Sequence, residues 1–281
     1  MCDVEDGVFV TSVEQETFRK DGFVIARDLL PMARIEELLA SFQKTVQDSL
    51  RMLGIPHSWP SLHDALVALH GADLEIYKKV LGCLWRKEVA FRTCNDPAIL
   101  QFIKDKFGWS DVFLPGGQVA LIMGDKLRIP NGYFGLIPHQ DFPSVQGSLD
   151  GVVAWFPLLD VSRKNFPMEV IPGSHLRGVF PTIDRGASTW EIPPDLYQDE
   201  DFVPVELKAG DVVFMSVFTV HRSSLVGEPG AFRIAMSTRF DNGDEPTFIQ
   251  RAFPTAYVRS IERKPYFPGF PDDAQLAKAF S

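Results

Sequence analysis

What the chain has little of narrows its role first. It carries 3 cysteines in 281 residues, Cys2, Cys83 and Cys94, an odd and scattered set without metal-ligand spacing. A disulfide-stapled scaffold is excluded, and reduced thiols in a cytoplasmic protein are the expectation. Nothing near these cysteines would lower a thiol pKa. No block of Lys and Arg is long enough to track phosphates, and the net charge is −9. A nucleic-acid partner is therefore not expected, because that affinity comes mostly from positive charge. Long hydrophobic runs are missing too: the longest, Gly151 to Leu159, is far too short to span a bilayer. Met1 to Val10 is acidic and lacks the basic-then-apolar order of a signal peptide. There is no internal repeat, no low-complexity segment and no linker.

What is present is globular: 45% hydrophobic, 23% charged and 12% aromatic, with 23 Phe. A chain of this size can bury a core without disulfides or a structural metal. The first part reads as helical, about residues 11–110. Pro31 can open a helix, and Ile35, Leu38, Leu39, Phe42, Val46, Leu50 and Leu53 recur at helical spacing after it. Ser61 and Asp64 form a capping-box pattern before a second helix running through Leu81. Asp96-Pro97 opens a third, which Gly108 ends.

The pattern changes near Pro115. Short runs rich in Val, Ile and Phe follow, separated by Gly, Pro, Asn and Asp. The expected strands are Gln118 to Met123, Tyr133 to Pro138, Val152 to Leu158, Met168 to Ile171, Val203 to Leu207, Val212 to Val217 and Phe232 to Phe240. Such a run predicts an antiparallel sandwich or barrel, and helices followed by strands predict a β-rich α+β fold. The expectation is a single domain over 1–281, with a core over about 115–245 and a C-terminal extension over 246–281.

One constellation carries chemistry. On a strand, His139 and Asp141 in His139-Gln140-Asp141 would point to one face and could share a metal. His221, 80 residues beyond Asp141, supplies the third ligand, at the end of the apolar run Val212 to Val220. Two His and one carboxylate form the facial triad of non-haem Fe(II) oxygenases, which leaves positions for 2-oxoglutarate and O2. Zinc is the competing metal. 2-Oxoglutarate needs a cation for its distal carboxylate, and Arg suits a planar carboxylate. Arg233 and Arg239, six residues apart on one strand, face the same way as Ala235 and Ser237. Arg233 is assigned the ligand role; Arg239, beside Asp241 and Asp244, is expected to pair with an acid at the rim. His175, His57, His63 and His70 are read as structural, surface or lid residues.

Several segments together resemble the phytanoyl-CoA dioxygenase family of Fe(II)/2-oxoglutarate oxygenases. They are Phe18 to Val24, His139-Gln140-Asp141, Ala154-Trp155, Leu158 to Asp160, Val170 to His175, Gly210-Asp211, His221-Arg222-Ser223 and Phe232-Arg233. The resemblance spans about residues 18–240. It implies a double-stranded β-helix, or jelly roll, with an N-terminal helical layer. It also implies that Ser223 helps Arg233 bind the distal carboxylate, and that Trp155 lines the cofactor pocket. Two departures stand out: Asn165-Phe166 replaces the family's usual Asn-Gly, and the interval from His221 to Arg233 is one residue longer. The implied activity is oxidation of a small-molecule C–H with release of succinate and CO2. The alternatives are a non-catalytic jelly-roll module binding a small molecule or sugar, and a cupin-like metal hydrolase or isomerase.

Overall fold

The computed structural model describes residues 13–130, 134–183 and 191–256. Met1 to Val10, Cys2 and most of the C-terminal extension lie outside the described residues.

Six helices come early: α1 (Val13–Asp21), α2 (Met32–Met52), α3 (Leu62–Ala72), α4 (Leu74–Leu84), α5 (Glu88–Cys94) and α6 (Pro97–Phe107), with a short strand β1 (Phe23–Ala26) after the first. Helix α2 forms where the apolar period predicts, and Ile35, Leu38, Phe42, Val46 and Leu50 are its buried stripe. Helix α6 starts on the Asp96 side chain, which accepts from the Ala98 amide, and stops at Gly108 with φ +74°. The expected single helix from Ser61 to Leu81 is two. Ser61 caps the first by accepting from the Asp64 amide at 3.1 Å. Asp73 then turns extended and caps the second through the Glu75 and Ile76 amides, both at 2.9 Å. A carboxylate free to satisfy two new helix-start amides wins over an unbroken apolar period.

The strands that follow are β2 (Val112–Phe113), β3 (Val119–Gly124), β4 (Val152–Pro157), β5 (Met168–Val170), β6 (Val203–Val205), β7 (Val212–Ser216), β8 (His221–Ser223) and β9 (Phe232–Asn242), with a short helix α7 (Phe142–Val145) before β4 and α8 (Pro246–Gln250) after β9. They make two antiparallel sheets. The larger has the order β1-β7-β4-β9-β2, with β3 also paired to β9; the smaller is β6-β5-β8. Tyr133 to Pro138 is not a strand: Tyr133 lies outside the described residues, and 134–138 is irregular.

The larger sheet is covered on both faces. This is why β4 and β9 are buried along their whole length and read as nearly continuous rather than alternating apolar runs. On one face Val152, Ala154, Phe156, Phe214, Ile234, Met236 and Phe240 join the helices in a single core. On the other, Val153, Trp155, Val213, Met215, Leu121 and Ala235 meet Met168, Val170, Val205 and Leu207 from the small sheet and its flanks. Strand parity then sends Arg233, Ser237 and Arg239 into the space between the sheets, with Ser237 opposite Trp155. No described helix is long and apolar enough to cross a membrane.

At the end of β9, Asp241 is 1% exposed, and its Oδ1 accepts from the Ser148 amide at 2.9 Å. Burial pushes its carboxyl up to about 6. A folded pKa above the unfolded value means the contribution is full below about 4 and is lost as pH rises through about 6. Asp241→Asn should therefore gain relative to wild type between pH 5 and pH 8, read as the pH dependence of the urea midpoint. A constant difference between the two proteins would count against this account.

Candidate metal centre

The centre begins with a backbone pairing. His139 and His221 exchange both of their N–H···O=C hydrogen bonds, each at 3.0 Å, as an isolated antiparallel pair. That brings two imidazoles side by side, with ring centroids 4.2 Å apart. His221 is also paired with Val170 of β5, so the small sheet carries the His139 segment on its edge. Asp141 is not on a strand with His139, as the sequence reading has it. It sits at the start of α7 with φ −79° and ψ −27°, and this turn rather than strand alternation brings its carboxylate to the imidazoles.

His139, Asp141 and His221 are all buried, and one potential ligand atom from each lies within 4.8 Å of the others. Each histidine Nδ1 faces a carbonyl, Ile137 at 2.7 Å and Thr219 at 3.0 Å. A carbonyl can only accept, so each Nδ1 donates, and the Nε2 lone pair is left for a metal. Burial lowers the pKa of both rings, that of His221 to about 3, so both are neutral ligands at pH 7. Burial, the largest single influence, would raise Asp141, but the Arg239 guanidinium and the two imidazoles together outweigh it and hold the carboxyl at about 2. Asp141 Oδ1 accepts from Arg239 Nη2 at 2.8 Å, whereas the buried Oδ2 has no hydrogen-bond partner. An orphaned buried carboxylate oxygen beside two imidazole lone pairs fits a divalent cation.

Arg239 therefore departs from expectation. It pairs with an acid, but the acid is Asp141 in the centre and not one at the rim. The nearby acids are already engaged: Asp241 by Ser148, and Asp244 by the Ser110 amide and hydroxyl.

Arg233, Ser223 and Trp155 come together beside this set. Arg233 is 1% exposed and donates to Phe166 O at 2.6 Å and to Ser223 Oγ at 3.3 Å. Its guanidinium carbon lies 5.8 Å from the centre of the Trp155 ring. These three residues, with His221, Ser237 and Arg239, line one narrow cavity closed by Leu121, Leu136 and Met168.

Of the other histidines, His175 bonds the Arg19 carbonyl at 3.1 Å, and His57 is exposed. His63 and His70 are half-buried rather than on the surface: His63 stacks on Phe232, and His70 bonds the Arg128 carbonyl. Sequence reasoning missed Gln140, which reads as a spacer. Its amide donates to Gly178 O and Phe218 O, at 2.8 and 2.6 Å, and its Oε1 accepts from the Phe180 amide at 2.8 Å. The only available signal was its place between two ligands. Gln140→Ala would leave buried backbone groups unsatisfied, costing about 2–4 kcal/mol in a urea melt and weakening metal binding. Wild-type stability would refute this role. Arg239→Ala should raise the Asp141 pKa and lower metal affinity by about ten- to a hundred-fold, most severely at acid pH, as read by metal titration at pH 6 and pH 8.

The sequence model of the phytanoyl-CoA dioxygenase (PhyH) family matches residues 129–226. The peroxisomal phytanoyl-CoA dioxygenase of Homo sapiens is 24% identical over 250 residues, 85% of this chain and 70% of that protein. The Arabidopsis thaliana phytanoyl-CoA dioxygenase is 32% identical over 91 residues, which is 31% of this chain and 32% of that protein. Among solved structures, the non-haem monooxygenase ThoJ superposes with a TM-score of 0.55 at 22% identity, covering 81% of this chain and 76% of its own. The epimerase SnoN, solved with Fe3+, alpha ketoglutarate and nogalamycin RO, gives 0.53 at 22% identity and covers 82% of each chain. EctD from S. alaskensis, solved with 2-oxoglutarate and 5-hydroxyectoine, gives 0.54 at 15% identity, over 86% of this chain and 80% of its own. The resemblance to the phytanoyl-CoA dioxygenase family is borne out, and the fold is that of these oxygenases.

Proposed function

We propose, from this family resemblance, that the chain is an Fe(II)- and 2-oxoglutarate-dependent oxygenase that hydroxylates a C–H bond of a small molecule. The observation that carries the reading is a buried His139–Asp141–His221 donor set whose His221 lines the same cavity as a buried arginine, Arg233. A zinc hydrolase would use the donor set but has no need of a buried guanidinium beside it. A non-catalytic module has no need of an orphaned Asp141 oxygen. In this reading the two sheets are the walls of a double-stranded β-helix, and residues 1–281 are one domain.

His139, Asp141 and His221 would hold the iron. Iron would couple O2 to decarboxylation of 2-oxoglutarate, giving succinate and CO2 and oxidising the substrate C–H. Arg233 would take the distal carboxylate with its two Nη donors, and Ser223 would support it from the side. Trp155, Leu121, Leu136 and Met168 would wall the cosubstrate from water and keep the guanidinium–carboxylate pair in a low dielectric. Asp141 would give the metal an oxygen ligand where a halide-transferring relative has none, so oxygen transfer rather than chlorination is the proposed outcome.

His221→Ala and His139→Ala should each abolish succinate release and greatly weaken Fe(II) binding, while the protein still folds, as measured by metal titration and thermal melting. Wild-type iron affinity in His221→Ala would sink the triad. Arg233→Ala should cost about 2–5 kcal/mol of 2-oxoglutarate affinity, and Arg239→Ala much less; the reverse ranking would move the anchor to Arg239. Oxygen-dependent succinate release across a metabolite panel, in excess chloride, tests the class. A chlorinated product, or turnover without 2-oxoglutarate, would overturn it.

A further inference from the structure

Phe166 has φ +56°, in the left-handed region that a residue with a large side chain rarely adopts. It is nevertheless 2% exposed and tightly held. Its amide donates to Val226 O at 3.0 Å, and Asn165 pairs with Gly227. Its ring lies directly on Gly227: a Cβ built there would come 2.3 Å from Cζ and 2.5 Å from Cε1. Gly227 does not have a positive φ, so what its missing side chain supplies is room for this ring. Phe134 meets the same ring edge-on at 5.6 Å, and the Arg128 guanidinium sits 3.6 Å above the Phe134 ring.

The consequence of that backbone is the direction of one carbonyl. Phe166 O accepts from Arg233 Nη1 at 2.6 Å, while Ser223 Oγ takes Nη2 at 3.3 Å. A right-handed or extended residue at 166 would aim the carbonyl elsewhere. We propose that Phe166 is a positioning residue for Arg233. Its ring, seated on Gly227, holds the left-handed backbone whose carbonyl fixes the depth of the guanidinium, and so the length of the oxo acid the cavity accepts. The inference rests on Arg233 as the cosubstrate anchor. A guanidinium fixed at one depth distinguishes 2-oxoglutarate from 2-oxoadipate, which is longer by one methylene. Pockets separate such pairs by roughly 10–200-fold.

The test uses the full chain loaded with Fe(II) under nitrogen. Each oxo acid is titrated by calorimetry and by the visible charge-transfer band. Phe166→Gly keeps the backbone conformation accessible but removes the ring. It should raise the Kd for 2-oxoglutarate about ten-fold and narrow the preference over 2-oxoadipate, with Fe(II) affinity unchanged. Gly227→Ala drives a methyl into the ring and should do the same in the wild-type background, yet add nothing in the Phe166→Gly background. Arg233→Ala is the reference. If it loses 2-oxoglutarate binding while Phe166→Gly keeps wild-type Kd and preference, the Phe166 role is wrong and the anchor stands. If Arg233→Ala binds like wild type, the anchor reading itself fails, and this inference with it. Should Phe166→Gly not fold, Gly227→Ala decides alone: wild-type Kd and preference in that folded variant overturn the proposal.

Discussion

The two backbone hydrogen bonds exchanged by His139 and His221 are the constraint on which the centre depends. Each imidazole comes from a different kind of segment, one from an irregular run and one from a sheet strand. Only the reciprocal pairing sets both rings on the same side at a fixed separation. Gln140 reinforces it from within the motif by tying three backbone groups of two other loops to the same point. The three donor side chains are thus placed by main-chain hydrogen bonds between the segments that carry them, which need no metal.

The second constraint is charge. Two guanidiniums and a carboxylate lie in one desolvated space, with Arg233 and Arg239 six residues apart on a strand buried throughout. Burying such groups unpaired is costly. Arg239 pairs with Asp141, and Arg233 donates to a carbonyl and a hydroxyl. The first arginine therefore belongs electrostatically to the ligand set.

Much of this was legible in the sequence, for reasons that can be named. The parity of Arg233, Ala235, Ser237 and Arg239 follows from a two-residue strand period, and β9 keeps that period without a bulge. Pro31, the Asp96-Pro97 start and the Gly108 stop are local chemistry that no tertiary contact overrides. The break at Asp73 was not legible, because the apolar spacing continues across it and only the cap reveals two helices. Phe134 to Pro138 has strand composition, but its backbone bonds scattered partners: Leu136 the Ser223 amide and hydroxyl, the Ile137 carbonyl His139 Nδ1, and the Pro138 carbonyl the Ile192 amide. Arg239 was misplaced because its neighbours in sequence, Asp241 and Asp244, are engaged by Ser148 and Ser110, and its own partner lies 98 residues away, contacts that sequence proximity does not reveal.

Strand β9 has neighbours along both edges, β4 on one side and β3 followed by β2 on the other, and it is covered on both faces. Its amides should be among the last to exchange with deuterium, opening only when the whole molecule opens. Asp141, by contrast, rests on a four-residue helix flanked by turns. The site therefore joins two timescales: an arginine that is as static as the fold itself, and a carboxylate that can relax locally. In the metal-free protein, an opening fluctuation would free Asp141 long before it disturbed Arg233. The buried guanidinium would thus persist as a template against which the His139–Asp141–His221 cluster is rebuilt.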